Sequence, residues 1–255
     1  MQQCVRLRVL PRALLRPPGR LADPEDWGPG NRILKNYLSF SFSRAVFLTE
    51  RDVDQTAPSN LPLVFDDDRC LFNTGLYTRR YETIYGLFEP NTKPDARQRW
   101  FLKGFFKESD PMLVSFEYLP CRVRFAEDPS ELVFDYRLPI RSNIDHILGD
   151  EENLTRIPAS LMGEGNSLLL RRAFEGAVVE AARRAAANYT LAVPQFYGGR
   201  IQLLLPLCLT GDKPELALTI QREDGFYAAR TCLALEMAYN NARLICRPET
   251  SWIKR

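Results

Sequence analysis

Tyr239-Asn240-Asn241-Ala242-Arg243, with Arg247 just beyond, is the densest group of polar donors set among apolar residues in the sequence. On a short helix from Glu236 to Leu244, Tyr239 and Arg243 are i, i+4 neighbours and Asn240 shares their face. A guanidinium is a planar fork that fits a phosphate or carboxylate, and an asparagine amide both donates and accepts. The pattern therefore predicts an anion held by Arg243, with Arg247 as a second contact and Asn241 reading a base or sugar edge. The competing reading is a set of caps and salt bridges packed against a sheet.

His146 is the sole histidine. That count excludes acid–base schemes built on two histidines and metal sites that need two imidazoles. Ser142, Asn143 and Asp145 surround it, so it is the candidate for a catalytic proton or a hydrogen bond, against the plainer role of a structural histidine. Asp66-Asp67-Asp68 offers oxygens to a divalent cation, but adjacent strand residues point to opposite faces, so a solvated turn is expected there. Tyr77, Tyr81 and Tyr85, with Arg79 and Arg80 between them, form one stripe if the segment is helical. A core-facing stripe is expected, with base stacking beside arginines as the functional alternative. G-x-x-x-x-G-K-[ST], G-x-G-x-x-G, G-x-S-x-G and H-E-x-x-H are all absent, so the well-marked enzyme classes find no support, and no cofactor is named.

The elements that must position these groups are clearest toward the end of the chain. Gln195–Tyr197, Gly198-Gly199 and Arg200–Leu209 read as a hairpin, because two glycines accept the positive φ of a tight primed turn. Ile201–Leu209 is nearly all apolar, as in a strand buried on both faces, while Pro206 argues for an edge or bulge. Glu215–Gln221, Glu223-Asp224-Gly225 and Phe226–Leu235 read as a second hairpin. Between 167 and 188, Leu170, Phe174, Ala177, Val178, Ala181 and Ala185 recur at helical spacing and the charged residues lie off that stripe. Asn166 or Ser167 can cap this helix. Earlier, Ile33–Phe47 reads as a strand pair or a short helix running into a strand. Trp100–Phe106 reads as core, strands are expected around 113–119, 122–125 and 131–136, and 139–165 looks irregular. The expected fold class is α+β, a mixed and mostly antiparallel sheet with one long helix packed on it, as a single domain over 21–255.

Length and composition agree. The chain has 255 residues, 45% hydrophobic and 26% charged, with net charge +2, which allows a sizeable core and gives no global field toward nucleic acid or membrane. Its six cysteines form no C-x-x-C pair; they read as buried, reduced thiols of a cytoplasmic protein. No stretch is apolar for the length a membrane span needs, so no membrane partner is expected. Arg6, Arg8, Arg12, Arg16 and Arg20 precede the first acid, Asp23; the apolar core is too short and interrupted for a secretory signal, and residues 1–20 read as a basic N-terminal segment, with a targeting peptide or a nucleic-acid arm as the alternatives.

Phe72-Asn-Thr-Gly-Leu76, Tyr85-Gly-Leu-Phe88, Val193-Pro-Gln-Phe-Tyr197, Gln202–Leu209 and Met237–Ile245 with Arg247-Pro248 and Trp252 together resemble an uncharacterised bacterial domain family of unknown function, over about residues 20–255. Members of that family joined to cold-shock-like or LOTUS-type RNA-binding modules imply an RNA-linked role; no such module is read in this sequence. The resemblance carries no catalytic roles. The leading expectation is an RNA- or nucleotide-directed protein, with phosphotransfer or hydrolysis as its enzymatic form and a site built from 237–247 and His146. A non-catalytic RNA- or partner-binding module and a metabolic enzyme for a phosphorylated small molecule are the alternatives. Oligomeric state is left open.

Overall fold

A computed structural model describes residues 21–66, 68–92, 100–163 and 165–253. The basic segment 1–20 lies outside them. The chain divides into two compact units, one through Val123 and one from Arg124.

The first unit opens with helix α1, Arg32–Asp52. A four-stranded antiparallel meander follows: β1 Leu63–Asp66, β2 Arg69–Tyr77, β3 Thr83–Pro90 and β4 Trp100–Lys107, in that spatial order. α1 replaces the expected strand pair or helix-to-strand. Ile33, Leu34, Tyr37, Leu38, Phe42, Ala45, Val46 and Leu48 form its buried side. Ser41 and Thr49 are buried there too, while Phe40 and Phe47 are exposed. Those exchanges blur the 3.6-residue period, and Ser39-Phe-Ser-Phe-Ser43 mimics a strand's alternation. The ring of Phe42 lies 5.3 Å from Phe72 and 5.2 Å from Phe88, so α1 seals one face of the meander. On the other face Leu71, Tyr85 and Leu87 pack with Leu113 and Phe116. β2 is therefore buried on both sides.

The segment carrying Tyr77, Tyr81 and Tyr85 is not a helix. Tyr77 ends β2, Tyr81 sits in the β2–β3 turn and Tyr85 lies in β3. Gly75 and Gly86 disfavour a helix, and the flanking Ile, Tyr, Phe and Thr residues suit a pleated surface. The strands expected around 113–119, 122–125 and 131–136 are also absent. Pro111–Leu113 and Pro129–Leu132 are 3₁₀ turns, each opened by an Asp-Pro pair. Asp110 Oδ1 accepts from Met112 N at 3.0 Å, and Asp128 Oδ1 accepts from Ser130 N at 2.8 Å; these local bonds compete with a ladder.

The second unit holds a five-stranded sheet. Its strands are β5 Ile140–Ser142, β6 Val193–Tyr197, β7 Arg200–Leu207, β8 Leu216–Glu223 and β9 Phe226–Ala234, arranged β5-β9-β8-β7-β6. Only the β5–β9 pairing is parallel. Both expected hairpins are present. Gly198 and Gly199 have φ of 58° and 81°, the two positive values a primed turn requires. Pro206 lies beyond the end of β6, which pairs no further along β7 than Leu204, so its missing N–H costs no bond on that side.

Helix α4, Ser167–Ala187, buries Leu170, Phe174, Ala177, Val178, Ala181 and Ala185, the same six residues its periodicity predicts. They pack on Leu203, Leu205, Leu207, Leu216, Leu218 and Ile220. The interval 139–165 is more regular than expected, holding β5 and two short helices, α2 Ile144–Gly149 and α3 Glu151–Leu154. Ile144, Ile147 and Ile157 join the same core. The architecture is α+β, with two mostly antiparallel sheets and two 21-residue helices. Among the described residues no helix is long and apolar enough to cross a membrane.

Candidate functional site

Helix α5, Leu235–Ala242, packs on β6, β8 and β9. Ala238 and Ala242 are fully buried, and their small side chains let the helix approach the strands closely. Glu236 stands in its first turn, where a negative charge favours the helix dipole. Leu203, Leu205 and Leu218 are among the strand residues that share a core with α4. Gln202 and Gln195, alternating with them, belong to the opposite face, and Asn241 of α5 donates from Nδ2 to Gln195 Oε1 at 3.1 Å. α4 and α5 thus cover opposite faces.

A row of amides crosses this second face. Gln195 Nε2 donates to Gln202 Oε1 at 2.9 Å, and Gln202 Nε2 to Gln221 Oε1 at 3.3 Å. Gln221 Nε2 donates to Glu223 Oε1 at 2.9 Å, and Arg230 pairs with the same carboxylate. Gln195 is 1% exposed and Gln202 8%, so each depends on its neighbours for hydrogen bonds. Toward the sheet's outer end the face opens. Ala228 stands opposite Gln221 and Arg141 opposite Ala228, which puts Arg141 in the amide register. Its guanidinium lies 4.3 Å from the ring centre of Phe226. Tyr197 and Arg200, cross-strand partners one pleat further along, are both exposed. The open rim thus carries Arg141, Arg200 and Arg230 with the rings of Phe226 and Tyr197, beside Glu223, which pairs with Arg230, and the exposed Asp224 of the β8–β9 turn.

The residues singled out from sequence are dispersed around this arrangement. Asn241 anchors the amide row. Asn240 is half-buried and Arg247 exposed. Tyr239 and Arg243 are buried, with 7% and 6% exposure, and the N–H of Arg243 bonds the Tyr239 carbonyl at 2.9 Å. His146 lies on α2, exposed, its N–H capped by Asn143 Oδ1 at 3.2 Å. α2 belongs to the α4 side, so His146 and 237–247 occupy opposite faces of one sheet, not one site. A cavity of about 530 Å³ opens beside α2, lined by Asp145, Leu148, Leu154, Leu161, Leu168 and Arg171 among others, and His146 does not line it. Asp66 pairs with Arg69, and Asp68 lies in the β1–β2 turn. On the apolar face, burial pushes the Cys232 thiol up to about 12, which suits a small apolar core side chain.

Gln195, Gln202 and Gln221, missed from sequence, carried a readable signal. Gln195 and Gln202 are spaced evenly about Gly198-Gly199, so the hairpin register makes them face each other. Arg141 and Phe226 had none, because their meeting needs β5 beside β9.

Over residues 19–252 the sequence matches the family described as a domain of unknown function, DUF3825. The chain belongs to the DUF3825 family. No curated protein and no solved structure matches this DUF3825 domain. Within it, the Val193–Tyr197 and Met237–Ile245 runs are the two segments that the Asn241–Gln195 bond ties together.

Proposed function

We propose that this DUF3825 domain binds single-stranded RNA or a nucleotide on the α5-side face of its five-stranded sheet. The observation that carries the reading is the amide row, tied to α5 by Asn241 and continuing in register to a rim of arginines and aromatic rings. Aromatic rings stack on bases without demanding sequence, guanidiniums take phosphates, and amides read base or sugar edges. The RNA-binding modules associated with this family through its resemblance point the same way. Binding is favoured over catalysis, because amides, guanidiniums, tyrosine and glutamate have no ordinary pKa near neutrality and His146 stands on the other face. Within the α5 motif, Arg247 and Asn240 reach the ligand, and Arg243 supports the helix from inside. A cytoplasmic setting is part of the same reading, in which the cysteines serve as reduced, small apolar side chains.

The test is fluorescence anisotropy with a labelled oligouridylate of about 12 nucleotides, a length within single-strand site sizes, and with labelled ATP as the nucleotide arm. Arg141→Ala and Tyr197→Ala are expected to weaken binding about 5- to 100-fold each with melting temperature unchanged. Wild-type affinity in both variants, or no binding of either probe by the wild-type protein, overturns the reading.

A further inference from the structure

The turn joining β2 to β3, Thr78-Arg79-Arg80-Tyr81-Glu82, holds Tyr81 at φ +61° with 86% of the residue exposed. Left-handed backbone suits glycine or asparagine; a bulky side chain pays there in steric strain. An aromatic ring usually offsets such strain by being buried, but this ring is in solvent and returns nothing to the fold. The turn is nonetheless firmly built. Tyr81 N bonds Thr78 O at 2.9 Å and Thr78 N bonds Glu82 O at 2.9 Å. Thr78 Oγ1 accepts from Arg80 N at 3.3 Å and from Glu82 N at 3.1 Å. Glu82 in turn accepts from Lys107 Nζ at 3.0 Å and from Ser109 N at 3.3 Å, and Ser109 Oγ donates to it as well. The Ser109 and Lys107 hydrogen bonds hold its carboxyl below the usual glutamate range. Arg79 and Arg80, the two residues before Tyr81, are exposed as well.

A fixed, strained turn that displays one unburied ring beside two guanidiniums is a stacking platform. We propose that this tip is a second contact for single-stranded RNA, with Tyr81 stacking on a base and Arg79 and Arg80 taking the flanking phosphates. The ring supplies a sequence-tolerant π-face, and the two cations supply the salt-dependent part of the affinity. Strain that persists where nothing in the fold requires tyrosine is the pattern of a surface kept for a ligand. The inference extends the RNA reading to another surface and rests on it for the ligand class.

Tyr81→Gly separates the two roles, because glycine relieves the backbone while removing the ring. In the full chain it is expected to keep or raise the melting temperature while weakening oligouridylate binding about 5- to 100-fold. Tyr81→Phe retains affinity. Arg79→Ala with Arg80→Ala lowers the slope of log affinity against log salt by about 1.4, two phosphates at roughly 0.7 each for a single strand. Unchanged affinity in Tyr81→Gly overturns the proposal, even if Arg141→Ala and Tyr197→Ala weaken binding and the sheet-face reading stands. The reverse pattern, loss at the tip with none at the sheet face, keeps this proposal and removes the other. Binding of a polyglutamate peptide with no binding of oligouridylate shows a tip for acidic protein segments and also overturns it.

Discussion

In the four-stranded sheet, Asn73 and Thr74 lie on a strand buried on both faces, and their side chains bond to backbone. Asn73 Nδ2 donates to Pro120 O at 2.9 Å, its Oδ1 accepts from Gly75 N at 2.9 Å, and Thr74 Oγ1 donates to Ile84 O at 2.5 Å. In the five-stranded sheet, Gln195, Gln202 and Gln221 bond laterally to one another, and the row continues to an exposed rim. Side chain to backbone bonding fixes a local irregularity, here the register shift between Asn73 and Leu76. Side chain to side chain bonding is the rarer kind, and each member depends on the next. Polar residues of the first kind explain the fold; those of the second kind join the α5 motif to the exposed rim of the sheet.

Three substitutions test this contrast. The largest effect is expected under the amide row, where Phe174 is fully buried at the centre of α4. Phe174→Ala should cost about 3–5 kcal/mol in chemical denaturation; a loss under about 1 kcal/mol, as at a surface position, breaks the assignment of α4 as the layer supporting the sheet. Next is Gly75, at φ +68°, where an added Cβ would come within 2.4 Å of Tyr37 Oη. That hydroxyl donates to Thr74 O at 2.8 Å, so it cannot move away freely. Gly75→Ala should cost about 2–3 kcal/mol, with part of it recovered when Tyr37→Phe is added. No recovery would place the strain in the backbone alone. The smallest effect belongs to Gln202→Leu, which removes the middle of the row and leaves buried amide groups of its neighbours unpaired. About 1–2 kcal/mol is expected, with weaker oligouridylate binding measured on the folded variant. A neutral or stabilising result would make the two sheets alike, with the amides dispensable to both stability and site.

The site was legible in part. Asn241 was found because it stands in a dense polar motif; its partner Gln195 lies 46 residues away and was hidden in an apolar strand. Arg243 drew attention as an anion ligand, yet it is buried. Side-chain type reveals what chemistry is possible, and only packing decides which guanidinium meets solvent. His146 lies far from 237–247 in the sequence, and no local pattern reveals that a sheet separates them.

By itself the sequence determined the elements encoded within a few residues of one another. α4 follows from its apolar stripe, and the two hairpins follow from Gly198-Gly199 and Asp224-Gly225, whose backbone freedom sets the turns. The DUF3825 membership follows from runs spread over 19–252. The tertiary structure decided everything that depends on a distant partner. α1 is a helix because its mixed inner face meets Phe72 and Phe88. Arg69–Pro90 is a hairpin because its strands are paired on both sides. The amide row exists because five strands and α5 bring into line side chains that the chain itself keeps far apart.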